Sequence, residues 1–211
     1  MILPEVILLL LIVGIGVSAV WSMRRTRQMR EQAIGESLPL GDRGMLGPLK
    51  RLAADLEEVV AAHRDSTAVQ VLGKEAVADA HTILRRAEAM LLTRHELKRT
   101  LRSRYETEKA IEDLSTRIAN AEGVEKVTLE SALSARNLEL QHYLEAEQGI
   151  GRIEAGLKQA EAALSEIKTR LSLLGSQDRA KSEGAADDLR DALTRVRAIG
   201  ESFEETQQLL N

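Results

Sequence analysis

The chain has 211 residues and a formal net charge of −4, with 29% charged residues, no cysteine and only 2% aromatic residues. The missing cysteines exclude disulfides, thiolate metal sites and cysteine nucleophiles, and the mild acidity gives no reason to expect nucleic-acid binding. Because each aromatic ring would bury about 150–250 Å², a chain with so few rings must build its core from Leu, Ile, Val and Ala. This composition is typical of long helices and coiled coils.

Residues 1–23 contain one apolar run that ends close to a tryptophan, and four arginines follow it at once. As a helix the run reaches about 33 Å, which is enough to cross the hydrocarbon core of a bilayer. We expect an uncleaved transmembrane helix and not a signal peptide, because the N-terminal residues carry Glu5 and no Lys or Arg. The residues that we expect to fix the anchor and its topology are Trp21, Arg24, Arg25, Arg27 and Arg30.

The positive charge on one side of the run predicts a single-pass topology. By the positive-inside rule the N-terminus lies outside and the long C-terminal part lies in the cytoplasm, as in a bacterial inner-membrane protein. The opposite topology, with a periplasmic C-terminal part, stays open. Gly14 and Ser18 form a small-xxx-small pair that lets two membrane helices approach closely, although small residues are also simply common in membrane helices.

Residues 24–47 are predicted to be a basic juxtamembrane segment followed by a linker, since residues 35–47 contain four glycines and a proline. Pro48 suits the first turn of a new helix, and apolar residues at helical spacing predict a short amphipathic helix over 48–65. Either Asp65 or Ser66 is expected to cap the helix that follows.

Apolar positions then recur at heptad spacing over 67–174, with an interruption at Gly123. We expect an antiparallel helical hairpin that turns near 123, because pairing residues whose numbers sum to about 247 brings apolar positions together. The same pairing sets the basic run of the first arm near Glu145, Glu147 and Glu154, and this run consists of Arg94, Lys98, Arg99, Arg102 and Arg104. A continuous parallel dimer stays open, since one glycine costs a helix only about 1 kcal/mol. The expected coiled-coil seam contains Leu97, Leu101, Leu144, Ile150, Leu157, Leu164 and Leu171.

A linker is predicted at 175–184, and a C-terminal amphipathic helix at 185–211. This last helix either packs back on the hairpin or binds a partner through its apolar side, and packing back is favoured because so short a helix is marginal alone. The predicted fold is therefore all-α: an N-terminal single transmembrane helix followed by a long antiparallel α-helical hairpin or coiled coil, with flanking shorter helices.

No catalytic, cofactor-binding or metal-binding set is predicted. His63, His81 and His95 share a helical face but lie about 27 and 21 Å apart along it, too far to bind one metal ion. The string from Gly149 to Gly156 contains three glycines but lacks the strand and turn of a phosphate loop, so it indicates local softening or close helix packing. We expect a protein that is not an enzyme and takes no cofactor, small-molecule substrate or nucleic acid.

The layout is similar to that of bacterial single-pass proteins in which an anchor precedes cytoplasmic coiled coil, such as septation regulators of the EzrA kind. A long hairpin followed by shorter helices also resembles phage-shock protein A and its ESCRT-III relatives. Both resemblances concern architecture, and no functional residues are transferred from them. The long heptad surface favours a membrane-anchored scaffold or adaptor that self-associates or docks a protein partner at the lipid membrane. The alternatives are a membrane-remodelling or envelope-stress protein that polymerises on lipid, and a non-catalytic accessory subunit of a membrane enzyme complex.

Overall fold

A computed structural model of the chain describes residues 38–176 and 182–210. Within these ranges the protein contains helices and no strand, which confirms the predicted all-α class. The α-helices are α1 (Leu40–Ala62), α2 (Thr67–Thr100), α3 (Arg104–Asn120), α4 (Gly123–Ser176) and α5 (Ser182–Leu210), and a short 3-10 helix (Leu101–Ser103) joins α2 to α3.

None of the helices in this described part combines the length and the apolar character that crossing a bilayer requires. The predicted membrane segment and the basic stretch after it lie outside the described residues, so neither is placed by the structure. The affected predictions concern Gly14, Ser18, Trp21, Arg24, Arg25, Arg27 and Arg30. The chain divides into residues 1–37 and residues 38–211, and the fold described here is that of the second unit.

Helix α1 begins at Leu40, so the predicted linker is wrong for residues 40–47. The prediction followed local preference, because each of three glycines in these turns lowers helix stability by about 1 kcal/mol relative to Ala. Pro48 lies inside the helix, where it cannot donate a backbone hydrogen bond. Tertiary packing overrides this preference, since Leu46 and Leu49 are each only 1% exposed.

Helix α2 begins at Thr67, at the predicted position, and Ser66 caps it. The Ser66 Oγ accepts a hydrogen bond from the backbone N–H of Val69 at 3.4 Å, which satisfies one of the free donors of the first turn. At the far end of the arm, α3 stops at Asn120. Gly123 opens α4 with a φ of +60°, a left-handed conformation that glycine adopts without strain. The chain therefore reverses at the predicted turn.

Helices α2 and α4 form the centre of a four-helix bundle, and α1 and α5 flank this pair. Each flanking helix packs along both central helices. The central pair is antiparallel, with Gly73 against Leu171 and Gly149 against Leu97, close to the register expected from the sequence. Ion pairs between α1 and α2, and between α4 and α5, follow the same antiparallel order. The bundle therefore runs up, down, up and down.

The seam predictions differ in outcome along the central pair. Leu157, Leu164 and Leu171 are buried, whereas Leu97, Leu101 and Ile150 are partly buried. Leu144 does not lie in the seam: it is 42% exposed, while the neighbouring Tyr143 is 5% exposed. Buried positions at this level of α4 fall at Tyr143, Ala146 and Gly149, and a residue one place further on points about 100° away from that row.

Glycines allow close approach of helices in this ring-poor bundle. A Cβ on Gly156 would lie 2.7 Å from Cε1 of Phe203, and one on Gly149 would lie 2.9 Å from Cδ2 of Leu210. Close packing therefore accounts for two glycines of the string on α4, Gly149 and Gly156, whereas a Cβ on Gly151 would meet nothing within 4 Å. The apolar side of α5 is used inside the chain, with Leu189, Leu193, Val196, Ile199 and Phe203 buried.

The predicted linker at 175–184 is wrong at both ends, because α4 continues through Ser176 and α5 begins at Ser182. Gly175, which local preference marked as a break, is instead a packing position. Its backbone lies directly against the imidazole of His63, which follows the last residue of α1.

We expect Gly175→Ala to lower the free energy of unfolding by about 1–3 kcal/mol, because the added methyl group overpacks a filled site. The new Cβ would lie 2.3 Å from Cδ2 of His63, so the imidazole would have to move. The measurement is urea unfolding followed by circular dichroism. Gly151→Ala on the same helix is the matched control, since its Cβ would meet nothing within 4 Å, and it should raise stability by up to about 1 kcal/mol. Equal effects of the two substitutions would contradict close packing at Gly175.

Candidate functional site

Helix α3 and the first half of α4 continue beyond the bundle as a two-helix arm, which we call the distal hairpin (residues 104–142). The flanking helices reach only its root, since Asp42 near the start of α1 pairs with Arg94 and Leu210 at the end of α5 lies against Gly149. With 17 residues in α3, the arm extends about 25 Å further.

The distal hairpin is far less covered than the bundle. Only Thr107 and Leu129 are buried within it. Its remaining seam residues keep part of their surface in contact with solvent: Ile111, Leu114, Ile118, Leu133 and Leu140. Apolar area thus remains exposed along this arm within the described residues, as expected for two helices that no third described helix covers.

Polar contacts fix the hairpin at its root. Arg104 donates a hydrogen bond of 2.8 Å to Glu147 across the two arms. Tyr143 donates one of 2.9 Å to Glu139, and Arg136 donates another of 2.6 Å to the same carboxylate. The Arg136 hydrogen bond, followed by that of Tyr143, lowers the pKa of the Glu139 carboxyl below its usual value. Of these contacts only Arg104–Glu147 joins the two arms, and its side chains are 33% and 59% exposed, so it orients the arms more than it stabilises them.

A second row, uncharged and with three large apolar residues, runs along the outward face of α4 in the distal hairpin. We call it the outer stripe, and it consists of Val124, Val127, Ser131, Ser134 and Leu138. Val124 is 85% exposed, Val127 66% and Leu138 57%. At 100° per residue these positions lie opposite the seam residues Leu129 and Leu133. The outer stripe carries no charge over about 21 Å of helix.

Single exposed apolar residues are ordinary, but a continuous exposed row marks interaction surfaces. The sequence analysis missed this row because it followed only the seam. The signal that would have found it is the 3-4-3-4 spacing from residue 124 to residue 138, out of phase with the seam.

A buried ion-pair cluster lies at the root of the distal hairpin and contains Asp42, Arg94, His95 and Glu154. Arg94 donates hydrogen bonds to Asp42 and, at 2.9 Å from Nε, to Glu154. The side chains of Arg94 and Asp42 are only 8% and 6% exposed, and Nδ1 of His95 lies 3.3 Å from Asp42 Oδ2. Burial of this pair holds the first turn of α1 against α2 and α4.

The sequence pattern indicates one member of this cluster, Arg94. Arg94 stands in the heptad row between Met90 and Leu97, where a charged residue indicates a buried charge that requires a partner. The antiparallel pairing predicted Glu154 near Arg94, but Asp42 escaped prediction because it lies within the segment expected to be a linker.

A cleft of about 450 Å³ lies between α4 and α5, lined by Ser165, Glu166, Thr169, Arg170, Leu173, Ala185 and Asp188. Its charges are satisfied among themselves: Glu166 accepts hydrogen bonds from Arg170 and Arg195, and Arg170 also pairs with Asp188 at 3.2 Å. The Arg170 hydrogen bond is the main cause of a lowered Glu166 pKa. The stabilising effect of this hydrogen bond is present above the usual pKa of Glu. It is lost as the pH falls through the lowered pKa of Glu166. Residues 38–176 and 182–210 hold no group of His, Cys, Asp and Glu suited to a metal ion.

We expect Arg94→Met to lower the free energy of unfolding by about 3–5 kcal/mol, because it leaves the Asp42 carboxylate buried beside His95 without its main cation. Arg99→Met is the matched control on the same helix, since Arg99 is 61% exposed and pairs with Glu96 at 3.2 Å. That control should change stability by no more than about 0.5 kcal/mol. Urea unfolding of the two variants tests this difference, and similar small losses would show that the cluster contributes little.

The feature of the described residues that bears most directly on function is the distal hairpin with its outer stripe. There α4 carries a seam that packs on α3 and, opposite it, an uncharged row with three exposed apolar residues that no described helix covers. Comparison with protein-family models, with curated proteins and with solved structures finds no match to this chain.

Proposed function

We propose that this chain is a membrane-anchored coiled-coil scaffold that presents its distal hairpin as a docking surface at the membrane. The observation that carries the proposal is the outer stripe, an uncharged exposed row opposite a face that already packs on α3. A hairpin that served only its own packing requires one apolar face, and this arm also exposes Val124, Val127 and Leu138 on the opposite side. The docked protein is either a second copy of the chain or another helical protein.

The size of the outer stripe suits weak docking. Fully burying a Val or Leu side chain contributes about 1.5–3 kcal/mol, so three such residues on one helix give a modest total once association entropy is subtracted. Contacts of this size are typical of transient complexes. Confinement of both partners to one membrane raises their effective concentration, which makes a weak contact sufficient.

The membrane part of the proposal is supported by the sequence. The apolar run within residues 1–23 is long enough to span a bilayer, and the arginines that follow it favour a cytoplasmic helical region. We propose a single-pass protein of the cell membrane with its N-terminus outside. A periplasmic helical region is the alternative topology.

We expect Ile12→Arg to move the full-length chain from the detergent-rich phase to the aqueous phase on phase separation. An arginine at the centre of a membrane helix disfavours insertion by about 2.5–3.5 kcal/mol. Gln28→Arg, outside the apolar run, is the control and should leave the distribution unchanged. Recovery of the unsubstituted chain in the aqueous phase would contradict the anchor.

We expect the outer stripe to give a discrete crosslinked product in membranes. The chain has no cysteine, so Ser131→Cys places the only thiol at the centre of the stripe, and a benzophenone attached to it through a maleimide then captures, on irradiation, whatever lies against it. Adding Val127→Glu and Leu138→Glu should reduce the product at least tenfold, because unpaired carboxylates would be buried in the contact. The product's mass distinguishes a chain dimer from a complex with another protein.

Two controls match this experiment. Val71→Glu changes an exposed valine of the bundle, 56% exposed, and should not reduce the product. Ser115→Cys places the thiol on α3, where Ser115 is also exposed, and should give little product. Equal labelling from Cys at 115 and 131, or no effect of the two glutamates, would contradict docking through the stripe.

The second candidate function is membrane remodelling by polymerisation on lipid. The basic stretch that follows the apolar run favours it, since each Lys or Arg near an anionic surface contributes about 1 kcal/mol of attraction. Electron microscopy of the full-length chain reconstituted into anionic vesicles would show coated or deformed membranes. Smooth vesicles would reject this function and leave the scaffold in place.

A further inference from the structure

The first two turns of α1 are held by a few strong contacts. Leu38 and Leu46 are each 1% exposed, and Asp42 contributes its carboxylate to the buried ion-pair cluster around Arg94. Before the helix, the carbonyl of Leu38 accepts a hydrogen bond of 2.7 Å from Arg43 Nε. The side chains of this segment are therefore fitted to the bundle.

The glycines of the same segment disfavour the helix that it forms. A Cβ on Gly41, Gly44 or Gly47 would meet nothing within 4 Å, in contrast to the close packing at Gly156 and Gly175. The bundle therefore does not require glycine at 41 or 44, where it only weakens the helix.

The backbone hydrogen bonding is also weakened at Pro48, where this segment meets the rest of α1. Pro48 has no N–H, so the carbonyl of Gly44 loses its helical partner, and the proline ring crowds that carbonyl. A residue before proline avoids the helical region, and at position 47 glycine relieves the clash because it has no Cβ. Residues 49–62 begin a separate stretch of helix that is docked through its own buried side chains, Leu49, Ala53 and Leu56.

We infer that residues 38–47 form a strap that exchanges between a docked helix and a released extended segment while residues 49–62 stay in the bundle. The Asp42–Arg94 contact and the two buried leucines favour docking, and the glycines with Pro48 favour release. Release uncovers Arg94 and Glu154 at the root of the distal hairpin.

Release also lengthens the chain that leads into the bundle. The eight helical residues of the strap, 40–47, span about 12 Å as a helix and up to about 26 Å when extended. Release therefore lengthens the strap by about 14 Å. In the proposed scaffold this sets how far the distal hairpin stands from the membrane. That consequence rests on the proposed anchor, whereas the exchange of the strap does not.

Hydrogen exchange of the full-length chain in detergent tests the strap. We expect the amides of residues 44–47 to exchange through a local opening, faster than those of residues 54–60, which open only with the bundle. Equal protection of the two segments would overturn the proposal, because α1 would then open as one unit.

Two variants shift the strap in opposite directions. Asp42→Ala removes the strap's carboxylate but leaves the Arg94–Glu154 contact, so exchange at 44–47 should accelerate at least tenfold. Gly41→Ala with Gly44→Ala should slow exchange at 44–47 by about 15- to 30-fold. Exchange at 54–60 should shift by a similar factor in each variant, because both openings start from the docked state that the substitution alters. Unchanged exchange at 44–47 would contradict the strap contacts.

Matched controls separate the strap from general stability. Asp55→Ala removes a carboxylate of the same helix that pairs with Lys168 at 2.6 Å, and Gly151→Ala improves helix propensity on α4. Each should change exchange at residues 54–60, which open with the bundle, and leave exchange at residues 44–47 unchanged, because release of the strap does not break these contacts. Equal changes in the two segments would contradict an independent strap. Spin labels attached after Leu40→Cys and Arg99→Cys give an independent measure, because Asp42→Ala should add a longer distance to their distribution. A single unchanged distance would count against release.

Discussion

The aliphatic row of α4 is the surface on which the whole described fold depends. From Ile153 to Leu174 it is buried at every heptad position, and each of the other helices packs against α4. Because rings are scarce, this row cannot fill wide gaps with large side chains. The helices instead approach closely at glycines, where Phe203 and His63 lie directly on the α4 backbone.

Much of this fold follows from the sequence because heptad spacing acts over long ranges. The all-α class, the start of α2 and the reversal at Gly123 follow from periodicity and local chemistry, which left the cap of α2 open between Asp65 and Ser66. Periodicity failed where tertiary contacts opposed local preference. The turns before Pro48 are helical because the bundle buries Leu46, a contact that composition alone does not reveal.

The candidate site, too, could be predicted from the sequence only in part. The seam at Leu157 and Leu164 followed from spacing, but Leu144 did not, since a row of residues can shift by one position where the helix leaves the bundle. The Asp42–Arg94 contact joins residues far apart in sequence, and nothing local identifies such partners. The outer stripe was present in the spacing of residues 124–138, yet its exposure depends on which side of α4 meets α3.

The flanking helices do not cover the distal hairpin, so its length can vary independently of the bundle. Its two arms pack on each other beyond the level of Arg94 and Gly149, so a whole heptad added to each arm would preserve the phase of the seam. Each such insertion would displace the tip by about 10 Å while the bundle kept its interior. The length of the distal hairpin and the stability of the bundle thus depend on different parts of the chain. Evolution can change that length without repacking the bundle.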